Sequence, residues 1–186
     1  MVILSTIFAI LWVISLKYTE KRNKDLKFHK DVISDYISTS KALQIGFLFL
    51  TASLGMFAYL VKDISTFAMY CFYLGSAGSF IVAATRSEKV YNTKGTKYDW
   101  WHILGAGLAF AVTTLGCIVI SYGRSDFLLG LAASIPLYSA LGFIYRMDDG
   151  DKERIVAYPL IIWFLVNAVA YTIGAPDQSP FNSILQ

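Results

Sequence analysis

The chain has 186 residues, 56% of them hydrophobic and only 16% charged, with a mean hydropathy of +0.54 and a formal charge of +3. Soluble domains carry roughly 25% charged residues; here the charges sit in short clusters between long uncharged runs, which excludes an ordinary water-soluble core. The Lys and Arg residues lie beside the ends of those runs, where orientation in a bilayer accounts for them and nucleic acid as a partner is excluded.

Six uncharged runs follow one another, at about residues 1–16, 43–61, 65–84, 101–122, 127–145 and 155–174. A hydrocarbon core of about 30 Å takes about 20 apolar residues per spanning helix, so each run reads as one transmembrane helix. The first ends at Lys17 and the Glu20-Lys21-Arg22 cluster. Its charges follow the apolar stretch and no small-residue cleavage site is present, the reverse of a signal peptide, so it reads as a retained helix. The connector after it is the longest, and Leu26, Ile33, Tyr36 and Ile37 fall on one helical face, which fits a short interfacial helix over residues 24–40. The second and third runs are joined by a tight turn at Lys62 and Asp63. Pro136 and Pro159 are placed to kink the fifth and sixth helices, and the tail beyond Pro176 reads as irregular. The alternation of a β-barrel strand over about 10 residues is absent. The expected fold is therefore all-α, one polytopic membrane domain over residues 1–186.

Orientation comes from the loops. The first, third and fifth connectors hold 14 of the 16 basic residues, and the opposite side has only Lys62 and Arg124. The positive-inside bias then places the charged loops in the cytoplasm and both termini outside, as in a multi-pass protein of the cell (inner) membrane. Cys71 and Cys117 lie in apolar runs without metal-ligand spacing and read as packing residues, their redox state left open.

An ionisable residue deep in a span is a functional candidate by default, and none of the six runs carries one near its middle. That argues against a carboxylate-based proton or cation pathway and against a retinal-type Schiff base. With only His29 and His102 in the chain and neither deep in a span, it also argues against haem, so no cofactor is expected. The most chemical cluster is Tyr98-Asp99-Trp100-Trp101-His102 at the start of the fourth run. Asp99 is placed to cap the helix, the tryptophans suit the interface, and His102 stands three residues beyond Asp99. A functional reading makes Asp99 and His102 half of a cytoplasmic-face site, completed by a residue of the first loop such as Ser34. The structural alternative is a cap, an aromatic belt and an interfacial histidine. The acidic group Asp148, Asp149, Asp151 and Glu153 lacks EF-hand spacing and reads as an acidic turn before a helix N-terminus.

Small residues crowd the third and fourth runs, and Gly75, Gly78, Gly107 and Ala111 are the candidate helix-packing positions, where backbones approach closely in lipid. They serve either packing within the monomer or contact with a second copy or partner membrane subunit. Thr113, Thr114 and Asn167 are candidates for a polar crevice.

Six runs, the Ile33-Ser34 and Ile37-Ser38 pairs, the Gly-rich third run at Gly75 and Gly78, and His102 opening the fourth resemble the six-helix membrane family of domain of unknown function 998. The chain lacks that family's Leu-Gly after the Ile-Ser pair, and Ala84-Thr85-Arg86 stands where a Phe-Pro-acidic turn is usual. The resemblance implies no established activity; it raises Ser34 or Ser38, Asp99 and His102 as a shared site. Three functions compete. The leading one is a non-catalytic accessory or interaction subunit in the bilayer; the others are a lipid-acting enzyme built on Asp99 and His102, and a small-solute transporter or channel using the polar crevice.

Overall fold

The structure is a computed structural model that describes residues 1–22, 33, 40–85, 100–121 and 149–172. The fifth expected span at 127–145, the terminal tail and nearly all of the expected interfacial helix lie outside the described residues, as do Ser34 and Asp99. Five helices are described: α1, Val2–Arg22; α2, Lys41–Val61; α3, Thr66–Ala84; α4, Trp100–Ser121; and α5, Asp149–Thr172. The first four are long and apolar enough to cross a membrane, and α5 carries a shorter apolar stretch over Ala157–Asn167. At about 1.5 Å per residue, α2 is about 32 Å long, close to the thickness of a hydrocarbon core.

The turns explain where the helices stop. Ser65 has extended backbone and its Oγ accepts a hydrogen bond from Ala68 N at 3.2 Å, capping α3 straight out of the Lys62–Ile64 turn. Ser40 occupies the equivalent position before α2, but its hydroxyl pairs with Thr19 Oγ1 on α1 at 2.9 Å. The capping side chain there ties two helices together instead. Between Leu108 and Val112, α4 widens to π-helical hydrogen bonding within an otherwise α-helical run.

Two bounds differ from the hydropathy reading. α1 runs on past Leu16 to Arg22, and α5 begins at Asp149, six residues before the apolar run. The acidic group at 149–153 therefore forms the opening turns of α5, where the unpaired amides of a helix N-terminus favour carboxylates, and is not a turn ahead of it.

Neighbours in sequence are neighbours in space: α1 packs on α2, α2 on α3 and α3 on α4, while α5 runs antiparallel to α1 and reaches α4 at its far end. The ends of α1 and α3 and the starts of α2, α4 and α5 share one end of the bundle, called here the charged end. Trp12 and Phe47 meet edge-on at 5.8 Å between α1 and α2, and Phe110 of α4 closes on Trp12 at 6.4 Å. Outward faces stay apolar: Ile3, Ile7, Ile10 and Ile14 on α1, and Phe67, Leu74 and Phe80 on α3, are exposed. Exposed aromatics gather at both ends, Tyr18, Trp100 and Trp101 at the charged end and Tyr59, Phe67 and Tyr70 at the other. Two aromatic girdles around an apolar waist are what lipid rather than water selects.

Candidate functional site

The helix contacts rest on glycine, but not on all the expected ones. A β-carbon at Gly78 would lie 2.6 Å from Gly105 O, Ala109 N and Leu108 Cβ, so α3 and α4 touch backbone to backbone. Gly75 abuts Thr113, and Gly116 fits against Cys71 and Phe72. On α4 the inward residues are thus Gly105, Ala109, Thr113 and Gly116, at helical spacing. Gly107 and Ala111 stand about half a turn away and are exposed; a β-carbon at Gly107 meets nothing within 4 Å among the described residues. Small size alone did not separate the two faces. Gly46, unmarked in the sequence, takes the equivalent place between α1 and α2, under Ser15 and Trp12.

Many polar side chains of the helices bond inside the bundle, whereas Ser79 Oγ and Thr113 Oγ1 are buried without a hydrogen-bond partner among the described residues. Ser5 Oγ donates to Ser53 O at 2.9 Å and Ser53 Oγ donates to Ser5 O at 2.8 Å, a reciprocal clamp between α1 and α2. Ser76 Oγ donates to Thr51 O at 2.8 Å, joining α3 to α2. Trp163 Nε1 donates to Ser121 Oγ at 2.6 Å, joining α5 to α4. Of the expected crevice, Thr114 donates to Phe110 O at 2.7 Å and Asn167 Nδ2 to Trp163 O at 2.8 Å, each within its own helix. Thr113 is buried against Gly75. Among the described residues, these contacts join none of the three to another.

His102 is buried, and its Nδ1 lies 3.2 Å from Thr85 Oγ1 at the α3–α4 corner. The Thr85 hydroxyl also lies 2.7 Å from Ile81 O, so the pair is built into the end of α3. Trp100 and Trp101 beside it are exposed, as a belt requires. The proposed partners Asp99 and Ser34 lie outside the described residues; among those described, Thr85 stands beside His102. No group of three or more His, Cys, Asp or Glu residues placed to hold a metal occurs among the described residues. Cys71 and Cys117 are buried and carry free thiols.

The feature that sequence reading missed is an ion pair between the first helix and the last. Arg154 Nε and Nη2 both reach Glu20 Oε1 at 2.9 Å, with both side chains buried, and Lys17 Nζ reaches Glu20 Oε2 at 3.0 Å. Lys17 also sits over the Tyr158 ring, 4.6 Å from its centroid. Each carboxylate oxygen thus has a cation, the condition under which a charge tolerates burial. The signal available in sequence was the lone Glu20 within an otherwise basic segment. At the far end of α5, Phe57, Phe72, Trp163 and Phe164 form a ring cluster with centroids 4.9–6.2 Å apart. Between these two anchors a narrow apolar cleft is lined by α1, α2, α4 and α5, Thr113 being the one hydroxyl residue on its wall among the described residues.

The fold and its polar contacts define a class: an all-helical chain with four helices fit to cross a membrane, compatible with a membrane helical bundle. Comparison with family models, with curated proteins and with solved structures gives no match for the chain.

Proposed function

We propose that this chain is a non-catalytic membrane protein, an accessory or interaction subunit that crosses the inner cell membrane six times with both termini outside and packs against other membrane helices. The observation that carries the reading is where the polar groups go. Ser5, Ser53, Ser76, Thr114, Trp163 and Asn167 all bond within the bundle, and the outward faces of α1 and α3 offer apolar side chains. A solute pathway would keep such groups for its cargo, and a hydrolytic site would keep a histidine wet; His102 is 1% exposed. The enzyme reading on Asp99, His102 and Ser34 and the transporter reading on Thr113, Thr114 and Asn167 draw less support for that reason.

The test is the mass of the protein particle in mild detergent, by light scattering with the detergent subtracted. The expected result is a stoichiometric assembly, either a multiple of the 20.7 kDa chain or a complex with a second membrane polypeptide. A stable monomer with nothing copurifying overturns the proposal. For orientation, a reporter active only in the cytoplasm and fused at Gln186 is expected to be silent.

A further inference from the structure

The cleft between α1, α2, α4 and α5 lies at mid-bundle depth, where Ala9 of α1, Ala109 of α4 and Ala157 of α5 leave room among larger neighbours such as Trp12 and Phe110. Its two ends along α5 are closed by different chemistry. At the charged end stands the Glu20–Arg154 pair, with Arg154 about one turn before Ala157, and Lys17 folded over Tyr158. At the other end Trp163 and Phe164 are held in the ring cluster with Phe57 and Phe72, and Trp163 is bonded to Ser121. Between the two closures, inside the helix, is Pro159. It has no amide hydrogen to give the carbonyl four residues earlier, which makes it the natural bending point of α5.

We propose that residues 149–158 form a hinged strap, which swings about Pro159 and opens the cleft at the charged end when the Glu20–Arg154 pair parts. The half of α5 beyond Pro159 stays fixed by its rings. An ionic closure suits a reversible contact: water solvates the separated charges at the bundle end, whereas parting the ring cluster exposes apolar surface with no compensation. Two packed arrangements joined by a single flexible point are the usual form of a hinge transition. A strap of about ten residues is about 15 Å long, so a bend of about 20° carries its first residue, Asp149, about 5 Å.

The proposal goes beyond the accessory role and is tested separately, on the full chain in lipid nanodiscs with the buried Cys71 and Cys117 replaced by Ala. Spin labels on the exposed positions Tyr18→Cys and Ile155→Cys report on the strap by pulsed dipolar spectroscopy. Labels on Ile7→Cys and Ile162→Cys report on the fixed half. In Glu20→Gln the first pair is expected to gain a population about 2 Å longer, the distance a bend of about 20° moves Ile155 at about 6 Å from the pivot, while the second pair is unchanged. Adding Pro159→Ala is expected to remove that population. Should Glu20→Gln fail to fold, Arg154→Lys keeps the charge, loses the two-nitrogen contact, and carries the same expectation. An unchanged first pair, equal broadening of both pairs, or a long population that survives Pro159→Ala overturns the hinge.

Discussion

Gly78→Ala and Gly107→Ala make the same chemical change in two helices of the same bundle, and the structure assigns them opposite signs. At Gly78 the added methyl would sit 2.6 Å from Gly105 O, Ala109 N and Leu108 Cβ. Two of those three atoms are backbone, so no side chain can rotate out of the way and α3 must shift off α4. Overpacking of this kind costs about 1–3 kcal/mol, and the backbone contacts put Gly78 at the upper end. Replacing Gly by Ala inside a helix returns up to about 1 kcal/mol through propensity, which leaves about 2 kcal/mol of net destabilisation. At Gly107 the methyl meets no described atom within 4 Å, so only the propensity gain of up to about 1 kcal/mol remains. For a chain of this length about 2–4 °C corresponds to 1 kcal/mol. Gly78→Ala should therefore lower the melting midpoint by about 4–8 °C, and Gly107→Ala should raise it by up to about 4 °C. Intrinsic tryptophan fluorescence in one detergent, with wild type alongside, reads both. If Gly78→Ala melts at or above wild type, the backbone contact between α3 and α4 is wrong.

The buried pair gives a second test: Glu20→Gln removes the negative charge that Arg154 and Lys17 share and should cost up to about 3–5 kcal/mol, while Glu20→Leu with Arg154→Leu should recover most of it. Unfolding by denaturing detergent measures both, and a double variant no better than the single one refutes the pairing. Ser53→Ala should cost about 1 kcal/mol, and Ser5→Ala should add little on top, because the two hydroxyls serve one clamp. Simple additivity in that double-mutant cycle would show that the two serines act apart. Trp163→Phe should cost about 1 kcal/mol by losing the bond to Ser121, whereas Trp163→Ala, which also empties the ring cluster, should cost about 3–5 kcal/mol. Equal effects of the two variants in the same thermal assay would remove the aromatic cluster as an anchor.

The first four helices were legible because hydropathy measures what lipid demands of a whole segment. α2 and α3 begin within two residues of the apolar runs and end with them, and Ser65 caps α3 as a serine before an apolar run should. The helix ends at the charged side were not legible, because a window that stops at the first charge marks where lipid ends and not where the helix does. α1 carries Lys17–Arg22 past that point, and α5 begins with its acidic group. Packing faces were half legible. Gly105, Ala109 and Thr113 recur every four residues, and so do Gly107 and Ala111; either row satisfies a small-residue pattern. The choice between them lies in the register against Gly75 and Gly78, which is a property of two helices and of neither sequence alone. The same holds for His102, whose partner Thr85 closes the preceding helix.

The ion pair shows why loop charges resist a one-dimensional reading. Positive-inside counting treats Lys17 and Arg154 as equivalent tokens of orientation, and for orientation they are. Once α1 and α5 lie antiparallel, 134 residues of separation collapse to 2.9 Å and the two cations share one carboxylate. Deeper in the spans such a pair would have to leave all its hydration behind; farther out, water would screen it to almost nothing. At the bundle end it is dry enough to specify which helix pairs with α1, and close enough to water to part. An apolar contact at the same level would hold α5 as firmly but would accept any register, since Leu against Leu fits at several offsets along a helix. Charge therefore fixes the register at one end of α5 and ring shape fixes it at the other, and Pro159 lies where the two constraints need not agree on a single straight axis.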